Sequence, residues 1–351
     1  MGNKPESALT CRGVSVTVQT YQEFILMTGK KAGGTRMELN GLRDLFRGSA
    51  IGTFVGDALG RAVEGWPAYA IRRSFGILEE MGDGIYTDDT EMMMGIMEGL
   101  CEVDGFDPSL TARKFLQNFN RSRGYGGRIY GVMDKLREGI PWNEVGTDSW
   151  GNGSAMRIAP IGFFFYDDPV KLREAAIQSS IITHKHPKGI AGAVAQATAV
   201  GIATRKGLKG EAVELRGFID LIIEDAGEID QEMIRQLEEI KEIEGGDIPT
   251  TIDAISSHFY CDVSAIGAVP PAIASFLLSK GFKESVVVAV NCGGDTDTLG
   301  AMSGAIAGAY YGYSQVPGEW LGPLENEGKG RDYILSLADR LADSKTRNQG
   351  G

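Results

Sequence analysis

The chain has 351 residues, enough to bury a large core in one big domain or two ordinary ones. With 35 Lys+Arg against 47 Asp+Glu its formal net charge is −12, so its surface repels polyanions and excludes a general nucleic-acid or anionic-membrane binder. Cys11, Cys101, Cys261 and Cys292 lie far apart with no CxxC pair, no cleavable leader is evident, and no apolar run approaches the roughly 20 residues of a membrane span. The expectation is a reduced, cytoplasmic protein without a membrane partner.

In chain order, residues 1–37 stand apart as an extension, either β or disordered. "GVSVTVQTYQEFILM" alternates apolar and polar like a strand, and "GKKAGGTR" reads as a flexible basic link. A single main domain is expected over residues 38–345. Helical spacing and Asp caps recur there in "DPSLTARKFLQNF", "DPVKLREAAIQSS" and "DQEMIRQLEEIKEI". The acidic stretch from about 206 to 250 reads as a solvated helical face. There is no βαβ alternation, which argues against a doubly wound sheet. "SVVVAV", before Asn291, has strand propensity by composition.

Gly48, Gly52, Gly56 and Gly60 recur every fourth residue, as do Gly300, Gly304, Gly308 and Gly312. On a helix each set forms one ridge. An interior glycine costs about 0.8–1.0 kcal/mol relative to alanine, so the ridges require close backbone approach, either to each other or each to a different helix. Ridge-to-ridge packing would bring distant acids together. Asp57 lies on the first ridge, which leads out to Glu64. Asp295 and Asp297, in "NCGGDTDT", begin the second. Asp88 and Asp89 follow Thr87, a natural N-cap, in "YTDDTEMMMG". Either acid pair alone could simply meet a helix macrodipole. Together they offer short oxygen ligands with little cysteine or histidine beside them, a set that suits Mg²⁺ or Mn²⁺ better than zinc.

"GDALGRAVE", "YTDDTEMMMG", "GYGG", "SWGNGSAMRIAPIG", "THKHP" and "NCGGDTDTLGAMSGAIAGAYYG", in this order and spacing, resemble the ADP-ribosylglycohydrolase family over residues 40 to 323. The resemblance implies an all-α orthogonal bundle of many helices, which makes "SVVVAV" helical. It implies a binuclear centre of two Mg²⁺ or Mn²⁺ ions on Thr87, Asp88, Asp89, Asp295, Asp297 and Thr298. Glu64 falls on the family's mobile glutamate, placed to hold or deprotonate the attacking water, with Asp89 and Asp297 as the rival bases. Gly126, Ser149, Trp150, Gly151, Asn152, Gly153 and His184 fall on ADP-ribose contacts, with Trp150 as a stacking surface. Asp57 reads as structural, holding the Glu64 loop. The activity implied is removal of ADP-ribose from a modified protein side chain, arginine-type favoured, or from a small molecule. The alternative is a non-catalytic ADP-ribose-binding or crystallin-like structural relative.

From Pro108 to Met133 there is no acid, yet Arg113, Lys114, Arg121, Arg123 and Arg128 are present; "RSRGYGGR" is therefore the candidate positive field beside a diphosphate, against a plain solvated basic face. Some relatives place a carboxylate in this loop and this sequence has none. Arg157 reads either as a buried ion pair or as a phosphate contact. His184 and His186 alternate without cysteine support, as in a hydrogen-bonding scaffold. Cys292 reads as a small residue that fits.

Overall fold

The structure, a computed structural model, describes residues 36–226 and 228–348. The alternating segment and basic link expected before Met37 lie outside the described residues. Among the described residues seventeen α-helices run in order: α1 Arg36–Gly60, α2 Ala68–Phe75, α3 Asp88–Val103, α4 Pro108–Asn118, α5 Gly127–Arg137, α6 Trp142–Val145, α7 Ala159–Phe164, α8 Pro169–Ile181 and α9 Pro187–Lys209; then α10 Leu215–Ala226, α11 Gln231–Glu239, α12 Ile248–His258, α13 Ala265–Leu277, α14 Phe282–Asn291, α15 Thr296–Tyr311, α16 Gly318–Leu321 and α17 Arg331–Asn348. Among the described residues extended pairing is limited to isolated bridges, such as Pro67 with Gly293 and Gly151 with Ser264. The fold is all-α, and "SVVVAV" lies within α14, where Ser285 to Val290 are buried. Burial on all sides favours the β-branched run there whatever its strand propensity. No helix among the described residues is long and apolar enough to cross a membrane.

The Asp caps form where the sequence places them. Asp107 accepts from Leu110 N, Asp168 from Lys171 N and Asp230 from Glu232 N and Met233 N, opening α4, α8 and α11. The acidic stretch folds onto the core by one stripe, with Phe218, Ile219, Ile222, Met233 and Leu237 buried.

The two glycine ridges meet. A Cβ on Gly48, Gly52, Gly56 or Gly60 would lie under 3.0 Å from backbone of Gly308, Gly304, Gly300 or Thr296 respectively. The partner numbers fall as the first set rises, so α1 and α15 run antiparallel. Ser49 Oγ donates to Ala305 O at 2.9 Å and Thr296 Oγ1 to Gly60 O at 2.8 Å, bonds between helices that only such proximity permits. Gly312 departs from the expectation. It ends α15 at φ +86°, where a Cβ would strike the Asp44 carboxylate, so it is the helix stop, although its backbone still lies under 3.0 Å from where a Cβ on Gly48 would stand. α15 is buried from Thr296 to Ala309 and lies against α1, α9, α13 and α14 at the centre of the fold. Its N-terminus carries Asp297.

Candidate metal and substrate site

The pairing of α1 with α15 ends at Gly60 and Thr296, which sets the exit of one helix beside the start of the other. α1 continues as a 3₁₀ turn, Arg61–Val63, and then Glu64. Gly65 N donates to Gly294 O at 2.7 Å and Gly294 N to Trp66 O at 2.8 Å. This clip fixes Glu64 over the acid turn. The turn uses Gly293 and Gly294 at φ +78° and +75°, a left-handed pair that side chains disfavour. It aims Asp295, the N-cap of α15, and Asp297 into the same space. Single carboxylate oxygens of Glu64, Asp295 and Asp297 all lie within 4.8 Å of one another.

The other acids arrive on α3. Buried Asp57 accepts from Thr87 N with both oxygens at 3.0 Å, from Thr90 N at 3.2 Å and from Thr90 Oγ1 at 2.6 Å. Asp57 is thus tied to the first turn of α3 and not to the Glu64 loop as the sequence suggests. It sets where Asp88 and Asp89 stand. Asp89 Oδ2 lies 3.4 Å from Thr87 Oγ1 and 3.5 Å from Thr298 Oγ1, while its Oδ1 is buried with no hydrogen-bond partner. Asn152 Nδ2 donates to Asp295 Oδ2 at 2.5 Å. The methionines of α3 are buried core, apart from Met92, which also borders the cavity.

Thr87, Asp88, Asp89, Asp295, Asp297 and Thr298 line one cavity of about 260 Å³ with Glu64. So do Gly126, Ser149, Gly151, Asn152, Gly153 and His184. Trp150 does not line it; its ring is half exposed and lies 5.3 Å from Lys188 Nζ. Loop 149–153 is anchored to loop 263–265 by Asn152 N to Val263 O and Ala265 N to Trp150 O, both 3.0 Å. Gly153 packs so tightly on the His184 ring that a Cβ there would lie 2.9 Å from Cε1.

Of the five cations between Pro108 and Met133, only Arg128 reaches the cavity. Arg123 is taken by Glu325 at 2.8 Å, Tyr86 O and the Tyr86 ring. Lys114 pairs with Glu102, and Arg121 stacks on Tyr130. Arg157 forms no ion pair among the described residues. Fully buried, it donates to Gly153 O at 3.1 Å, Ser179 O at 2.7 Å and Thr183 Oγ1 at 2.9 Å, and burial lowers its pKa to about 9. His186 caps α9 through Lys188 N and stays out of the site. Buried Cys292 donates to Val288 O, and its thiol is pushed up by Cys261 and by burial.

The family model for ADP-ribosylglycohydrolase matches residues 38–350. The chain belongs to the ADP-ribosylglycohydrolase family. An uncharacterized protein of Archaeoglobus fulgidus is 31% identical over 316 residues, covering 87% of this chain and 98% of its own. The human protein named ADP-ribosylhydrolase ARH3 is 30% identical over 321 residues, with 78% and 87% covered. A solved structure described as an ADP-ribosylglycohydrolase-related protein complex superposes with a TM-score of 0.69 at 26% identity, covering 87% of this chain and 99% of that one.

The site of this family member fits cations on its own chemistry. Burial, then Asp57, raises Asp88 to about 8; burial, then Asp57 and Asp88, raises Asp89 well above the carboxylate range. Asp297 is raised likewise by burial, then Asp89 and Asp295, and Glu64 by burial, then Asp295. Acids pushed toward the protonated form by burial and by one another, one with a buried oxygen lacking any partner among the described residues, are a donor set whose chemistry fits a hard divalent ion.

Three contributors to the site carry weak sequence signals. Glu91, buried, accepts from Tyr125 OH at 2.7 Å and Asn120 N at 2.8 Å, and so fastens the glycine loop to α3. An acid inside the apolar run "EMMMG" is its only signal. Met156 lines the cavity from inside "SWGNGSAMRIAPIG" without standing out there, and Val263 lines it with nothing in the sequence to mark it.

Proposed function

We propose that this chain is a metal-dependent hydrolase that removes ADP-ribose from ADP-ribosylated substrates. The observation that carries the reading is the convergence of Glu64, Asp88, Asp89, Asp295 and Asp297 at one cavity that also exposes the Gly151–Gly153 loop and His184. Thr87, Asp88, Asp89, Asp295, Asp297 and Thr298 would hold two Mg²⁺ or Mn²⁺. Bound there, the ions would supply Lewis acidity toward the ribose hydroxyls and the attacking water.

Glu64 receives the water's proton. It stands at the exposed rim, with a carboxylate oxygen within 4.8 Å of those of Asp295 and Asp297. The water's oxygen bonds to the anomeric carbon, the glycosidic bond breaks, and the proton passes to the departing group. Positive character develops at that carbon as the bond breaks. Asn152 keeps the Asp295 carboxylate oriented. Asp57 keeps Thr87 and Thr90 in register, and through them Asp88 and Asp89.

Recognition of the rest of ADP-ribose falls to the Ser149–Gly153 loop, Gly126 and His184. Arg157 donates to Thr183 Oγ1, which leaves the threonine proton for His184 Nδ1 at 2.6 Å. The hydrogen on the imidazole then sits on Nε2, on the side of Gly151 and Gly153, and burial with Arg157 and Arg128 nearby lowers the pKa to about 3. His184 is thus a neutral donor to a phosphate or ribose oxygen. Arg128 adds the cation facing this end.

The test is release of ADP-ribose from a panel of arginine-linked, serine-linked and small-molecule substrates, with Mg²⁺, with Mn²⁺ and with a chelator. Cation-dependent release from at least one supports the assignment. Tight ADP-ribose binding without release from any would select the non-catalytic alternative.

A further inference from the structure

Glu91 is an acid set against the methionine run of α3, only 4% exposed, and it stands outside the lining of the cavity. A carboxylate in such a place costs stability unless its partners are built in. Among the described residues those partners come from one loop. Oε1 accepts from Asn120 N at 2.8 Å and from Tyr125 OH at 2.7 Å, and Oε2 lies 3.8 Å from Arg123 Nε. The start of α3 does not need the side chain: Glu91 N donates to Thr87 O at 3.2 Å, and Asp57 holds Thr87 and Thr90 as described.

The loop has little else to fix its shape where it meets the cavity. Gly124, Gly126 and Gly127 surround Tyr125 there, and glycine loses more conformational freedom on ordering than any other residue. Gly124 stands at φ +86°, and a Cβ there would lie 3.9 Å from Asp88 Oδ1, so the stretch runs beside the acids of α3. Gly126 opens α5 with no side-chain cap, and a Cβ on Gly126 or Gly127 would meet nothing within 4 Å. Neither packing nor capping by these residues sets their backbone. Tyr125 does, with its hydroxyl on Glu91 and its ring 4.7 Å from that of Phe119. On the outer side Arg123 is tied to Tyr86 O at 2.9 Å and to Glu325 at 2.8 Å.

We propose that Glu91 is a positioning residue for ADP-ribose. By holding Asn120 and Tyr125 it keeps Gly124–Gly126 in the shape that receives the ligand, while Arg123 and Glu325 brace the same loop from outside; this rests on the reading of the cavity given above. A loop ordered beforehand leaves less to be ordered when the ligand arrives, so the contribution falls on binding. Glu64, the acid turn and the Asp57-held start of α3 do not depend on these bonds. Ion binding and the bond-breaking step are therefore spared.

The experiment uses three variants of the full chain. Glu91→Met removes the acceptors at similar size. Glu91→Gln keeps one carbonyl oxygen, which suffices because Oε1 alone accepts both bonds. Tyr125→Phe deletes one bond from the loop side and keeps the ring. The readings are ADP-ribose affinity with Mg²⁺ present, Mg²⁺ affinity without ligand, kcat and KM on whichever panel substrate is cleaved, and hydrogen exchange over residues 119–128. Glu91→Met should weaken ADP-ribose binding and raise KM by at least about tenfold, with kcat within about threefold and Mg²⁺ affinity unchanged. Tyr125→Phe should lose about threefold or more in affinity, and Glu91→Gln should recover most of the loss. Exchange should quicken within residues 119–128 and stay as it was elsewhere. An equal loss of Mg²⁺ affinity, or a fall in kcat as large as the rise in KM, would make Glu91 a support of α3 and overturn the proposal. Glu91→Gln as impaired as Glu91→Met would also overturn it. If Glu91→Met does not fold, Tyr125→Phe decides by the same readings. Should the wild type bind no ADP-ribose, the cavity reading fails by itself, and the hold on the loop is judged by exchange alone: unchanged rates over residues 119–128 in Tyr125→Phe overturn it.

Discussion

Gly56 and Gly300 lie backbone against backbone: a Cβ on Gly56 would fall under 3.0 Å from Gly300 O, and one on Gly300 equally close to Gly56 O. Neither helix can yield alone, because the same closeness recurs at Gly52 with Gly304 and Gly48 with Gly308. The methyl group of alanine would have to push α1 and α15 apart along the whole pairing, tilting Glu64 away from Asp295 and Asp297.

Gly56→Ala and Gly304→Ala should therefore destabilise the domain by several kcal/mol, although alanine is the better helix former by about 0.8–1.0 kcal/mol. Divalent-ion affinity should fall with stability. Gly131, near which a Cβ meets nothing within 4 Å, supplies the control. Gly131→Ala should raise stability by up to about 1 kcal/mol and leave ion affinity unchanged. Urea unfolding and ion titration on the three variants decide it; a stable, ion-binding Gly56→Ala chain would refute the role given to the ridge.

Asp297→Asn should abolish ADP-ribose release and weaken Mg²⁺ or Mn²⁺ binding by at least about tenfold. Without ions the variant should melt higher than the wild type, because it removes one of several buried acids that repel one another. With saturating ions the order should reverse. Calorimetry in chelator and in Mn²⁺ gives both readings, and a variant with full activity and unchanged ion affinity removes Asp297 from the site.

Glu64→Gln tests a group acting on the water's proton separately from one holding ligand. The turnover number should drop by about 100-fold or more, with ADP-ribose affinity nearly unchanged, since the amide keeps the size of the side chain but cannot accept a proton. Parallel losses in both would reassign Glu64 to ligand holding.

What could be read in advance was what repeats or stays local. The four-residue glycine period, the Asp caps of α4, α8 and α11, and the paired acids of "TDDT" and "DTDT" each depend on neighbours within a turn or two of helix. What could not be read depended on partners far along the chain. Arg123 looked free to meet a phosphate because nothing nearby in sequence opposes it, yet Glu325 takes it up. Trp150 sits in a motif whose glycines and asparagine face the cavity, but the bond from Ala265 N to Trp150 O leaves its ring outside the lining. Asp57 lies seven residues before Glu64, which suggested a local tie; α1 instead points it at α3. Gly312 keeps the ridge period while occupying a helix stop.

His184 gives a pH signature that a solvent-exposed imidazole would lack. Its pKa falls from 6.5 to about 3 because of burial first, then Arg157 and Arg128. The folded protein thus keeps it neutral at pH values where the unfolded chain takes up a proton. Between the two values the unfolded state binds more protons, so this residue's contribution to stability rises with pH and its penalty grows as pH falls below 6.5. At about 1.4 kcal/mol per pH unit the penalty at pH 5 is at most about 2 kcal/mol. The raised acids of the site slope the other way, Asp57 at about 6 and Asp88 at about 8 among them, so the whole-protein profile mixes both signs. The difference between wild type and His184→Asn isolates the histidine. Unfolding free energies of the two chains should converge or cross toward pH 5 and separate in favour of the wild type toward pH 7, with a change in the difference of up to about 2 kcal/mol. ADP-ribose binding by the variant should be weaker at both pH values, because the Nε2 donor is lost. A stability difference constant from pH 5 to 7 would mean that His184 titrates alike in both states, and with that the neutral-donor role assigned to it fails.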